Sequence, residues 1–170
     1  MLPKSYLAFK WIMYALATLL LCVLQSLIFC HIQVLSVSPF LYPVLPAVAA
    51  MYEGPKQGAF YGLSLGFLCD LLLPAPFTGF FVLLFPLIGL FSASIAGNML
   101  SPGFFCAILV SALGLLMTGG ARVLIRFLSG GDYLALMGWI ALAETLLTLP
   151  SLAVVFPLFR TVHRRCAADY

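Results

Sequence analysis

The chain has 170 residues, of which 64% are apolar and 8% are charged, with eight Lys and Arg against five Asp and Glu for a net charge of +3. An ordinary soluble domain is about a quarter charged, so a water-soluble fold is excluded. The few basic residues form no patch for nucleic acid, and no acidic or low-complexity tail is present.

Two stretches, Trp11 to Tyr52 and Leu71 to Ala121, carry no charge at all. About 20 apolar residues cross a bilayer core, and the chain divides into six such segments, over about 10–31, 39–53, 58–73, 79–97, 103–127 and 134–159. Six spans use roughly 120 residues, which leaves tight turns and short tails. The expected fold is therefore all-α, a single integral membrane domain over 1–170. The first span follows Lys4 and Lys10, is longer than a signal-peptide core of about 7–15 residues, and is read as an uncleaved helix. The second is short and interrupted by Pro39, Pro43 and Pro46. Proline removes a backbone donor and kinks a helix, so this segment is expected to be short, bent and shielded by neighbours, with a re-entrant hairpin as the alternative. Cytoplasmic loops collect Lys and Arg. Six spans put Lys4, Lys10, Lys56, Arg160, Arg164 and Arg165 on the cytoplasmic side with both termini, and Arg122 and Arg126 toward the other face.

Span three contains a ladder at intervals of four: Gly54, Gly58, Gly62, Gly66, Asp70. Residues four apart form a ridge on a helix, and glycines along it let two backbones approach. Span four carries a matching row, Gly89, Ala93 and Gly97, and the short turn from Pro74 to Thr78 makes the two spans antiparallel neighbours. The face of Gly58, Gly62, Gly66 and Asp70 is a packing surface, taken either by the bundle itself or by a partner helix. Asp70 is costly in an apolar span unless paired or near water. It can pair with Arg122, which lies at similar depth on span five, or cap the Pro74 turn.

Glu144 lies about ten residues into span six and shares a helix face with Thr148 and Ser151, just before Pro150 bends the helix. With Arg122 these residues form a candidate polar network inside the membrane, in which Gln25 or Thr18 of span one can also bond Glu144. Catalysis has little support. His31 and His163 fall on opposite sides and cannot share a metal, and no nucleophile elbow, zinc-protease or phosphate-loop motif occurs. No cofactor and no enzyme activity are expected. The five cysteines lack metal-ligand spacing and read as free thiols. Phe80, Phe81, Phe85, Phe104, Phe105 and Trp139 read as lipid-facing or interfacial.

The run from Gly54 through Gly66-Phe67-Leu68-Cys69-Asp70-Leu71-Leu72, followed by Pro76-Phe-Thr-Gly79, resembles the central signature of the MreD family of rod shape-determining membrane proteins. The resemblance extends to the chain length, the proline-containing second span and a final span with Glu144-Thr-Leu-Leu-Thr-Leu-Pro150 that ends in basic residues. The triple proline and the nearly uncharged turn over 98–102 depart from it. The resemblance implies a multi-pass protein of the bacterial inner membrane, similar in fold to the substrate-binding components of energy-coupling factor transporters. It implies a non-enzymatic scaffold that helps maintain cell shape and organise lateral peptidoglycan synthesis. Its implied partners are an MreC-like bitopic coiled-coil protein, directly or indirectly MreB, RodA and a class B penicillin-binding protein, and membrane lipid; self-association stays open. The Gly58 to Asp70 face is then the candidate docking surface. The runner-up is a vitamin- or metal-binding transporter component, although span one lacks the small-residue pattern such components use for docking. A small proton-coupled transporter built on Glu144 is a third reading.

Overall fold

A computed structural model of the chain describes residues 4–29, 39–98, 103–130 and 134–168, and every regular element among them is helical. The connection expected over 33–38, Cys30 and His31, residues 99–102 and Asp132 lie outside the described residues, as do the side chains of Lys4, Arg164, Arg165 and Cys166. The helices are α1 (Lys4–Leu24), α2 (Val44–Glu53), α3 (Pro55–Leu72), α4 (Phe80–Asn98), α5 (Phe104–Leu128), α6 (Leu134–Thr148) and α7 (Leu152–Ala168). A π-helical turn, Gln25–Phe29, extends α1, and a 3-10 turn, Leu149–Ser151, joins α6 to α7 at Pro150. Four stretches are long and apolar enough to cross a membrane: Phe9–Leu27, Phe80–Gly97, Phe104–Leu128 and Leu136–His163. The last overlaps the segment expected over 134–159, and the 3-10 turn interrupts it at Pro150.

Helix α2 is the centre of the bundle. Residues Val44 to Met51 are all buried, enclosed by α3, α4, α5 and α7. A helix that is apolar all round belongs in such a place. Its ten residues rise about 15 Å, half of a bilayer core, so the segment is short and shielded as its prolines suggest. The kink is avoided, because the prolines fall where the helix needs no donor. Pro39 lies in the lead-in, Pro43 is the N-cap residue and Pro46 is the third helical residue. The first four amides of a helix have no intrahelical acceptor.

The chain leaves α2 through Gly54, whose φ of +85° only glycine adopts without strain, and Pro55 opens α3. A second positive φ, +90° at Gly79, turns the chain into α4. Helix α1 buries the stripe Tyr14, Ala17, Leu21 and Gln25, spaced three and four apart, and packs chiefly on α7.

One expectation about side-chain direction is corrected. Phe80, Phe81 and Phe85 do not face lipid; they are buried in the core, with Phe81 5.3 Å from Phe85 and 6.1 Å from Phe40. Helix α4 is apolar on every side, so composition cannot say which face turns inward; the antiparallel contact with α3 decides it. Phe104, Phe105 and Trp139 are exposed as expected.

Candidate functional site

Three constellations bring together the residues that carry chemistry. The first is the seam between α3 and α4. A Cβ added to Gly62 would lie 2.5 Å from the carbonyl oxygen of Phe85, and one added to Gly66 2.5 Å from that of Phe81. A Cβ on Gly89 would lie 2.6 Å from the carbonyl oxygen of Gly58, while Gly58 itself packs on Ala50 of α2. Residue numbers rise by four along α3 as they fall by four along α4, which is the register of two antiparallel ridges in backbone contact. Beyond Gly66 the ridge reaches Asp70, whose Oδ1 and Oδ2 accept the amides of Phe81 and Val82 at 3.2 and 3.0 Å. Those amides lie in the first turn of α4, where they have no intrahelical partner, and a carboxylate there also meets the positive end of the helix dipole.

The face expected to receive a partner helix is therefore occupied within the chain. Gly58, Gly62 and Gly66 are buried, and a partner could reach them only by displacing α4 or α2. The Asp70–Arg122 pairing is also corrected, since Asp70 caps α4.

The second constellation grips the lead-in to α2 over residues 39–41. Arg122 Nη1 lies 3.4 Å from both carboxylate oxygens of Glu144, and its guanidinium sits 4.5 Å above the Phe40 ring. Such a pair lowers the cost of two charges in apolar surroundings. Thr148 Oγ1 donates to the carbonyl of Glu144 at 2.6 Å and accepts the Phe40 amide at 3.0 Å, and Ser151 Oγ donates to the carbonyl of Thr148 at 2.5 Å. Gln25 closes the grip from α1: its Nε2 donates to the Pro39 carbonyl at 2.6 Å and its Oε1 accepts the Leu41 amide at 3.2 Å. Glu144, Thr148, Ser151 and Arg122 thus come together as the sequence suggests. Gln25 joins them through the lead-in rather than by bonding Glu144, and Thr18 instead pairs with Tyr61.

No protein-family model matches this chain, and neither a curated protein nor a solved structure matches it.

Glu53, read from sequence only as part of a turn, is the centre of the third constellation. The Tyr14 hydroxyl donates to its Oε1 at 2.8 Å, the Lys10 ammonium pairs with Oε2, and His163 Nδ1 lies 3.3 Å from Oε1. The His163 ring stacks on Tyr52 at 5.0 Å. The Glu53 side chain is only 5% exposed, and this cluster ties α1, α2 and α7 at one end of the bundle. The spacing of Lys10, Tyr14 and Thr18, a polar row at intervals of four on an apolar helix, is the signal that could have pointed to it.

The seam, the grip and this cluster each engage ionisable groups with partners from other elements of the chain. Chemically, the arrangement holds helices in place. Among the described residues no group of three or more His, Cys, Asp and Glu side chains is placed to hold a metal. Cys22, Cys69 and Cys106 are free thiols.

Proposed function

We propose that this protein is a non-enzymatic membrane scaffold of the MreD type, acting in the bacterial cell-elongation complex of the inner membrane. It binds an MreC-like bitopic coiled-coil protein and, with MreB, RodA and a class B penicillin-binding protein, organises lateral peptidoglycan synthesis and maintains cell shape. The observation that carries the reading is the ladder from Gly54 to Asp70 with Pro76-Phe-Thr-Gly79, in a bundle where that ladder knits α3 to α4 and Asp70 caps the helix that follows the turn. The scaffold is favoured over a transporter because the two carboxylates a transporter would offer to cargo are already engaged, Asp70 as a cap and Glu144 with Arg122.

The proposed topology has six crossings, with α2 and its lead-in taken together as the second, and both termini in the cytoplasm. Support comes from the Glu53 cluster. It brings Lys10 near the start of α1 and His163 in the last turns of α7 to one end, as an even number of crossings requires. The basic residues of the sequence near that end favour the cytoplasmic side for it. The resemblance also extends the proposal to the fold of the substrate-binding components of energy-coupling factor transporters.

Depletion in the native host tests the reading. The scaffold predicts that rod-shaped cells round up and that labelled wall precursors stop entering the lateral wall, while reconstituted protein carries no substrate flux. Unchanged shape and labelling, or flux abolished by Glu144→Gln, would remove it.

A further inference from the structure

Between α1 and α3 runs a lateral groove of about 780 Å³, walled by Thr18, Cys22 and Val23 on one side and Tyr61, Ser64 and Leu68 on the other. Its lining is mostly apolar. Thr18 and Tyr61 bond each other, and Ser64 Oγ donates to the Phe60 carbonyl at 3.0 Å, so the groove offers mainly hydrocarbon to its occupant. Leu19, Leu68 and Leu72 along its edges are exposed. A close-packed partner helix wants small residues on the receiving face, and the α3 glycines all turn the other way, into α4 and α2.

The two ends of the groove differ in charge. Both walls begin at a lysine: Lys10 precedes Trp11 on α1, and the exposed Lys56 stands in the first turn of α3. Lys10 is paired with the inward-turned Glu53, so of these two lysines Lys56 is the accessible one. No side chain caps the first turn of α3, so its amides add positive potential beside Lys56. No charged residue lines the groove itself; the lysines stand just before its first lining residues, Trp11 on α1 and Phe60 on α3. Trp11 and Phe60, which follow the two lysines on their helices, pack edge to face at 6.5 Å, an aromatic pair of the kind enriched where spans meet headgroups.

We propose that this groove is a binding site for one anionic glycerophospholipid, with an acyl chain lying between α1 and α3 and the phosphate held at Lys56. The site is independent of the scaffold reading. Native mass spectrometry of the full chain, released from detergent into an equimolar mixture of phosphatidylglycerol and phosphatidylcholine with identical acyl chains, tests it. One phosphatidylglycerol is expected to remain bound in preference. Lys56→Gln should weaken that binding about fivefold, the worth of one lysine at an anionic surface, and leave phosphatidylcholine unaffected. Ser64→Trp, which fills the groove from an exposed position, should remove the bound lipid, with Leu68→Trp as a second filling variant if the first fails to fold. Equal retention of the two lipids, adducts that survive these substitutions, or a second copy of the chain displaced by Ser64→Trp would each overturn the proposal.

Discussion

The α3–α4 seam and the grip on residues 39–41 hold one bundle by opposite means. At the seam, side chains are absent, and two backbones lie so close that a single methyl group has no room at Gly62 or Gly66. At the grip, long polar side chains from α1, α5 and α6 reach inward to a stretch of chain that is not yet helical. The difference follows from what each backbone lacks. Apart from the two α4 amides that Asp70 caps, helices α3 and α4 pair their backbone groups within themselves and need only contact, whereas the lead-in to α2 has amides and carbonyls that cannot be left unpaired in apolar surroundings.

The two regions should therefore fail differently. The largest effect is expected at the seam: Gly62→Leu or Gly66→Leu should abolish recovery of folded, monodisperse protein on size exclusion. The milder Gly66→Ala should cost about 1–3 kcal/mol, the usual range for overpacking, measured by unfolding in mixed micelles. Breaking the grip at Arg122→Ala should cost about 3 kcal/mol, the low end for a severed buried pair, because the Arg122 side chain is 33% exposed. Arg122→Met with Glu144→Met should recover most of that loss, which a contact-only interface would not do. Asp70→Ala should cost about 2 kcal/mol, in the range for bonds to a charged acceptor, with Asp70→Asn in between. Smallest are the glycines that meet nothing: Gly97→Ala and Gly120→Ala should leave stability unchanged or raise it by up to about 1 kcal/mol through helix propensity. A large loss there would break the contrast.

How much of this was legible in the sequence depends on whether a contact is made along one helix or between distant ones. The ladder was readable because its spacing matches the helix period and a short turn fixes α4 as its neighbour; whether it faced the chain's own helix or a partner was not. The polar set Arg122, Glu144, Thr148 and Ser151 was legible as polar residues of two apolar segments, and it falls on α5, α6 and the 3-10 turn after α6. Arg122 matches Asp70 in depth, which can be counted along a helix, but azimuth cannot, and the α5–α6 packing points Arg122 to Glu144 instead. The prolines of α2 announced a short, shielded element but not that all three would fall before its first needed donor. The inward turn of Phe81 and Phe85 was hidden because α4 is apolar on every face. Glu53 was missed because its partners, Lys10 and His163, lie 43 and 110 residues away in sequence.

The proposed role of this bundle as a scaffold for wall synthesis is tested most directly by purification of a tagged copy from its native host at native expression in gentle detergent. Mass spectrometry should find an MreC-like coiled-coil protein with cell-wall synthases. Recovery of ATPase subunits with a transmembrane coupling protein, and no such partner, would contradict it.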